Sequence, residues 1–178
     1  MRARFRITLL PPLFLALTLT LAGCGTPSSA AQPGQTAPSG PPAPDISVAT
    51  IDGEQFALAQ QRGRPVLLFF MAAWCTTCVP VAQDIDRLTK GQDAPRDLVV
   101  LVVSADATET AADLAAFRQR AGGPSKHWAI DSKRQITKAY GVTALDTTVI
   151  IDRQGQIAFR NTTKPTLASL TQQVRTLR

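Results

Sequence analysis

The chain has 178 residues, with 19 Lys and Arg against 13 Asp and Glu, one His and three Cys, and its formal net charge at pH 7 is +6. Three of the basic residues, Arg2, Arg4 and Arg6, precede an uncharged apolar run, and without them the excess of basic residues falls to three. Because much of the positive charge belongs to this N-terminal segment, the composition gives no support to a nucleic-acid partner.

The N-terminal segment has the layout of a secretory signal. Residues 7–23 form an apolar stretch of 17 residues that contains Pro11 and Pro12, which is short for a membrane-spanning helix of about 20 apolar residues. The stretch ends in Leu21-Ala22-Gly23-Cys24, which resembles the bacterial lipobox. This resemblance implies that residues 1–23 are a signal peptide and that Cys24 is the lipid attachment site. The alternatives are an ordinary signal peptide with a chance cysteine, or an uncleaved anchor. In each case we expect the rest of the chain on the extracytoplasmic face of the bacterial cell envelope.

Residues 24–44 are predicted to be the lipid attachment site followed by a disordered tether. Residues 25–44 contain six Pro, three Gly, three Ser and no charged residue. Such a composition cannot bury a core. The folded unit is then residues 45–178, a common size for one domain, and the sequence contains no internal repeat.

The first half of this unit begins with a hairpin signal. Residues 46–50 and 55–58 flank Asp52-Gly53, a dipeptide that favours a tight turn. Residues 65–71 are apolar throughout, which is typical of a strand covered on both faces. After the two cysteines that follow, apolar residues recur at helical spacing up to Leu88.

The second half alternates in the same way between apolar runs and helical patterns. The pattern predicts a strand at 98–103, a helix at 109–121, a strand around 128–130, a helix at 132–140, a hairpin at 147–160 and a helix at 166–177. Strands that alternate with helices, followed by a terminal hairpin and helix, indicate an α/β fold with a mixed central sheet flanked by helices, and with the first hairpin as an N-terminal extension.

The strongest chemical signal lies between the first buried strand and its helix, in Trp74-Cys75-Thr76-Thr77-Cys78. At the N-terminus of a helix, the helix dipole and unpaired backbone N–H groups stabilise a thiolate on the first cysteine. The spacing allows the second sulfur to attack a mixed disulfide formed by the first. We therefore predict that Cys75 is the nucleophile and Cys78 the resolving thiol. The alternative of a purely structural disulfide is weaker, because so short a loop stabilises little.

A metal site is the other rival interpretation. Structural zinc needs four ligands, whereas the mature domain offers two cysteines and a single His127, which is expected at the surface or a strand edge. Soft thiolates can hold Cu(I), so a thioredoxin-fold Cu(I) carrier that uses the same cysteines remains the alternative function. We expect no metal and no cofactor other than the redox-active disulfide.

Two motifs carry a family resemblance. The run from Val66 to Cys78, and Tyr140-Gly141-Val142 followed by residues 147–155, resemble the thioredoxin-like thiol–disulfide oxidoreductases of the TlpA and ResA type. The resemblance covers essentially all of residues 45–178. It implies a thioredoxin fold, an extracytoplasmic location, electron exchange with cysteine pairs of exported proteins and with a membrane thiol donor, and service in cytochrome c maturation or copper-site assembly. It also implies that Trp74 shields one face of the disulfide.

The chain departs from this family pattern beside the cysteines. Asp146 stands where relatives carry a cis-proline ahead of Thr147 and Thr148, so its peptide bond is expected to be trans. Val81 stands where many relatives carry a carboxylate, and a helix-kinking proline is absent at Gln83.

Asp146 admits three interpretations. Beside Cys75, its charge would disfavour the thiolate unless the carboxyl were protonated. It would also be able to act as general base for Cys78, replacing the carboxylate lost at Val81. The third interpretation is a loop aspartate that binds its own backbone in an Asx-type turn. The hydroxyls of Thr76 and Thr77 are further candidates for hydrogen bonds to a sulfur.

Overall fold

The computed structural model describes residues 40–123 and 126–177. The predicted signal peptide, Cys24 and most of the predicted tether lie outside these residues. Within the described ranges, no helix is both long enough and apolar enough to cross a membrane.

A five-stranded mixed sheet forms the centre of the domain. Its strands are β3 (Val66–Met71), β4 (Val99–Ser104), β5 (His127–Ile130), β6 (Thr147–Ile151) and β7 (Ile157–Asn161), in the order β5-β4-β3-β6-β7. β3 and β4 are parallel, as are β4 and β5, whereas β6 is antiparallel to both β3 and β7. A separate two-stranded hairpin of β1 (Ser47–Ala49) and β2 (Gln55–Ala57) confirms the predicted N-terminal extension.

In the described ranges, four α-helices and one 3-10 helix accompany the strands. They are α1 (Cys78–Lys90), α2 (Ala111–Arg120), α3 (Gln135–Ala139), α4 (Leu167–Arg175) and the 3-10 helix Leu58–Gln61. Each predicted strand and helix is present, with ends that differ by up to three residues.

The central strand β3 is buried on both faces, as its continuous apolar run predicts. Leu67, Phe69 and Met71 belong to one apolar cluster, which also contains residues of α1, α2 and α4. Leu68 and Phe70 belong to a second cluster, formed with the hairpin and α3. The core thus lies in two layers on either side of the sheet, and β3 is held rigidly up to the point where the cysteine loop begins.

The helix predicted from residue 132 begins later, at Gln135. Asp131 explains the difference, because its carboxylate accepts the backbone N–H groups of Gln135 and Thr137 at 2.9 and 2.7 Å. Residues 131–134 form a turn before the helix, in which Arg134 adopts a left-handed conformation with φ of 55°.

The folded part starts before Asp45, so the prediction of a disordered tether up to residue 44 is wrong for its last residues. The N–H of Ile157 donates to Pro41 O, and the N–H of Ala43 donates to Gly155 O, each at 2.9 Å. The Tyr140 hydroxyl donates to Pro44 O at 2.7 Å. These partners lie about 100 residues further along the chain, so local composition carries no sign of them.

Candidate functional site

The two cysteines lie in a turn at the carboxyl end of β3, and they form a disulfide. The Cys75 N–H donates to Ala72 O at 3.0 Å, and the Cys78 N–H donates to Cys75 O at 3.2 Å. Cys75 is 6% exposed, whereas Cys78 is fully buried. Of the two cysteines, Cys75 is therefore the one that another molecule can contact.

Helix α1 begins at Cys78, and its N-cap residue Thr77 makes no side-chain capping bond. The positive end of the helix is therefore directed at the cysteine turn, where it favours negative charge on a sulfur. Cys75 precedes the first helical residue by three positions, so it lies in front of the helix rather than inside it.

Thr77 connects the disulfide to Asp146. Its hydroxyl oxygen lies 3.3 Å from Cys75 Sγ and donates to Asp146 Oδ2 at 3.3 Å. Of the two predicted hydroxyl partners, Thr77 therefore contacts a sulfur. Thr76 is exposed, and within the described ranges its hydroxyl makes no hydrogen bond.

Asp146 lies beside both sulfurs. One of its carboxylate oxygens, Cys75 Sγ and Cys78 Sγ all lie within 4.8 Å of one another. The Leu145–Asp146 peptide is trans, as expected, and Asp146 takes a left-handed conformation with φ of 63°, which aspartate tolerates better than most residues.

The environment of Asp146 is unusual for a carboxylate. The residue is 8% exposed, and its Oδ1 atom is buried without a hydrogen-bond partner in the described part of the chain. Burial raises the pKa of this carboxyl above its ordinary value, while the Thr77 hydrogen bond and the charge of Lys164 act in the opposite direction. The side chain binds Thr77 rather than its own backbone, so an Asx-type turn is not its role.

Thr147, which follows Asp146 in the loop of the family's cis-proline, begins β6 and is fully buried. Its hydroxyl donates to Ala144 O at 2.7 Å, and its backbone pairs with Phe70 of β3. Thr147 therefore fixes the loop that carries Asp146 to the end of the strand that carries the cysteines.

Trp74 is 67% exposed and is the one large apolar side chain exposed to that degree in the described ranges. Its indole N–H donates to Asp106 Oδ2 at 2.9 Å. The Thr108 N–H, together with this indole and the Thr108 hydroxyl, lowers the pKa of Asp106 to about 2. The ring is thus anchored at its polar end and open to solvent on its surface, while the shielding of the disulfide stays a prediction.

Two residues that the sequence analysis missed hold the backbone just before the cysteines. Glu109 Oε1 accepts the Ala73 N–H at 2.5 Å, and Arg120 donates to Ala73 O at 3.0 Å. The other Glu109 oxygen accepts the Ser104 hydroxyl at 2.5 Å. Glu109 lies 36 residues from Ala73, and the only local signal at this position was the start of a helix.

The remaining predicted positions are away from the chemistry. Val81 is buried in the core and supplies no acid or base. His127 is partly exposed on β5, where its Nδ1 lies 3.8 Å from Glu54 Oε2. Within the described ranges, the one group of side chains spaced to hold a metal ion is Cys75, Cys78 and Asp146.

Comparisons with known proteins agree with this geometry. A family model described as Redoxin matches residues 38–174. The chain is 28% identical over 121 residues to thiol-disulfide oxidoreductase ResA of Geobacillus thermodenitrificans, and the aligned residues cover 66% of each chain. It is 31% identical over 118 residues to the thioredoxin-like protein YneN of Bacillus subtilis, which covers 66% of this chain and 68% of YneN. The chain therefore spans about two thirds of the length of these curated relatives.

A solved structure is also similar. A thioredoxin-like protein from Aeropyrum pernix superposes with a TM-score of 0.64 at 28% identity, over 74% of this chain and 89% of the other. The two proteins share the α/β architecture of a mixed central sheet flanked by helices, which is the predicted thioredoxin fold.

Proposed function

Because the chain belongs to the Redoxin family and has the thioredoxin fold, we propose that it is a thiol–disulfide oxidoreductase for cysteine pairs of exported proteins. The observation that carries this proposal is the Cys75–Cys78 disulfide, in which Cys75 keeps a small exposed area and Cys78 is fully buried. That asymmetry suits a nucleophile and a resolving thiol, because an incoming sulfur has only one place to react.

The reaction balances as two thiol exchanges. In the dithiol form, the Cys75 thiolate attacks a substrate disulfide, so that a mixed disulfide forms and one substrate thiolate leaves and takes up a proton. Cys78 then loses its proton and attacks Cys75 Sγ, which closes the Cys75–Cys78 bond and releases the second substrate thiolate. Two electrons pass from the pair to the substrate, and a membrane thiol donor returns them. The reverse sequence oxidises a substrate dithiol.

Asp146 is the group best situated to accept the proton of Cys78. Cys78 is fully buried, so water has no direct access to its thiol. The Asp146 carboxylate lies beside it, with Oδ1 unpartnered in the described ranges. Burial raises the pKa of Asp146 and so brings it closer to that of a thiol, which makes the proton transfer less unfavourable. Thr77 supports the carboxylate from the other oxygen.

The function is tested by trapping the mixed disulfide in the full-length protein. With Cys78→Ser, Cys75 should form a stable mixed disulfide with a disulfide-containing peptide, whereas Cys75→Ser should form none and should lose all reductase activity. Cys24→Ser is the matched control and should behave as wild type in both assays. Full reductase activity in Cys75→Ser would disprove the proposal.

The location and pathway rest on the sequence alone. The signal-like residues 1–23 and the lipobox-like Cys24 support a lipid-anchored protein on the extracytoplasmic face of the cell envelope. There it would reduce exported proteins, among them the Cys-x-x-Cys-His haem-attachment sites used in cytochrome c maturation. The full-length protein should separate with membranes, and Cys24→Ser should be released. Unchanged membrane association of that variant would argue against the lipid anchor.

One observation favours a second candidate function, a Cu(I) carrier. In the dithiol form, two thiolates and a carboxylate would lie within reach of one ion, and thiolates are the ligands that Cu(I) prefers. Titration of the reduced protein with Cu(I) against a chromophoric chelator tests this function. Stoichiometric binding without disulfide turnover would favour the carrier over the oxidoreductase.

A further inference from the structure

An open cleft of about 640 Å³ lies next to the disulfide. Trp74 and Ala72 line it from the cysteine loop, and Leu145 lines it from the loop that carries Asp146. Trp74 and Leu145 are the sequence neighbours of Cys75 and Asp146. A polypeptide whose cysteine reaches Cys75 therefore has this cleft beside it.

Two cationic side chains belong to the lining of the cleft. Arg134 and Lys138 line it, and both are exposed. Within residues 40–123 and 126–177, neither side chain makes a hydrogen bond or an ion pair. Arg134 is the N-cap residue of α3 and Lys138 lies within that helix, so one short element carries both cations.

Among the described residues that line the cleft, Asp106 is the one acid. Both oxygens of Asp106 accept hydrogen bonds, one from the Trp74 indole and the other from Thr108. Asp106 therefore offsets part of the Arg134 charge but leaves the N–H donors of both cations available. The cleft thus contains two cationic groups whose N–H donors are available and one carboxylate whose oxygens already accept hydrogen bonds.

The turn before α3 fixes the backbone of Arg134. Arg134 holds a left-handed conformation because the Asp131 carboxylate binds the backbone N–H groups that follow it. The buried Asp131 therefore determines the backbone conformation of Arg134, and the Arg134 side chain takes no part in it. The guanidinium stays available for a ligand.

We propose that this cleft binds the segment next to the substrate cysteine and selects acidic segments, with carboxylates at Arg134 and Lys138 and an apolar side chain against the Trp74 ring. The proposal rests on the oxidoreductase function above and names its substrate class. Exposed aromatic rings are common anchors of protein interfaces. Complementary charge raises the association rate and sets partner choice more than it changes the chemical step.

The test uses the full-length protein in detergent and three disulfide peptides that differ only in the residues flanking the cysteine: Glu, Ser or Lys. The expected order of kcat/KM is Glu, then Ser, then Lys, with Glu preferred over Lys by about tenfold at low salt. The preference should shrink toward one as ionic strength rises, because the cations are exposed. The salt dependence is measured on the wild-type protein alone.

Two variants test which residues cause the preference for the Glu peptide. In Arg134→Glu/Lys138→Glu the ratio of Glu to Lys peptide should invert, whereas Lys133→Glu, an exposed neighbour that does not line the cleft, should keep the wild-type ratio. Equal rates for all three peptides, or an unchanged ratio in the double variant, would overturn the inference while leaving the oxidoreductase intact. Turnover of none of the peptides would instead count against the oxidoreductase itself. A small anionic disulfide reduced faster than the Glu peptide would argue against a peptide occupant.

Discussion

Replacing Asp146 by Asn removes the negative charge beside the disulfide while keeping the size of the side chain. A carboxylate oxygen lies within 4.8 Å of both sulfurs. At that separation, two unit charges repel by about 3–4 kcal/mol at an effective dielectric constant near 20. Screening by solvent and by nearby dipoles reduces this figure. A net effect of about 1.4 kcal/mol corresponds to a tenfold change in the thiolate fraction of Cys75.

The variant should therefore separate two properties that usually change together. The reduced Cys75 thiol should react about tenfold faster with iodoacetamide at neutral pH, because the nearby charge no longer opposes the thiolate. Turnover of a disulfide substrate should fall by roughly 10²-fold, because the buried Cys78 has lost its proton acceptor. A thiolate stabilised by about 1.4 kcal/mol would also raise the reduction potential of the pair by about 30 mV.

The assay follows Cys75 alkylation against pH, together with steady-state reduction of a peptide disulfide. Asp152→Asn is the matched control, because it removes another buried carboxylate, located just after the far end of β6. We expect the control to keep the wild-type alkylation profile. Superimposable alkylation profiles and equal turnover in wild type and Asp146→Asn would refute the assignment of Asp146 to either effect.

The same substitution has a stability signature of defined sign. Burial raises the pKa of Asp146 from its ordinary value of 3.8, so the folded state binds this proton more tightly than the unfolded chain does. The contribution of Asp146 to stability is thus greatest in acid and is lost as the pH rises from about 3.8 through the raised value. Urea unfolding should find Asp146→Asn more stable than wild type at pH 7 and little changed at pH 3. A variant less stable than wild type at pH 7 would contradict the raised pKa.

Two further substitutions test the groups around the disulfide. Thr77→Val removes the hydroxyl that contacts Cys75 Sγ and Asp146 Oδ2, so turnover should fall several-fold in peptide reduction. Thr76→Val, at an exposed position, should act as wild type, and equal turnover in both variants would argue against a role for the Thr77 hydroxyl. Glu109→Gln weakens the hydrogen bond to the Ala73 N–H, so the free energy of unfolding should drop by about 1–3 kcal/mol. Glu54→Gln, at an exposed position, should change the free energy of unfolding by less than about 0.5 kcal/mol. An equal loss in both variants would show that Glu109 has no special role.

The sheet was predictable because its signals are local. The β3 run is apolar at every position and lies between two apolar layers, so its burial on both faces could be predicted from the sequence alone. The same holds for the cysteine turn, because a strand followed by Cys-x-x-Cys and a helical pattern has few ways to fold. The end of the tether was predicted wrongly because it depends on distant partners: the docking of Pro44 on Tyr140 joins residues 96 positions apart, and no window of sequence contains both.

The residues of the site differ in the same way, because some could be identified from local sequence and others could not. Cys75 and Cys78 could be identified from their own spacing, whereas the position of Asp146 beside them followed only from the family resemblance. Two side chains hold the Ala73 backbone. Glu109 lies just before the N-terminus of α2, and Arg120 is the last residue of that helix. Helical periodicity describes which face of α2 is apolar, but it does not say which polar residue turns back toward a loop at the end of another strand.

The exchange of proline for aspartate also links the two loops of the site. A proline at position 146 would have no backbone N–H and no acid to offer, and its φ would be restricted to negative values, whereas Asp146 adopts a φ of 63°. That conformation accompanies a carboxyl directed at Thr77 and the sulfurs. Asp146→Pro should therefore disturb the loop as well as remove the acid, and only Asp146→Asn, which tolerates a left-handed backbone equally well, separates the charge from the conformation.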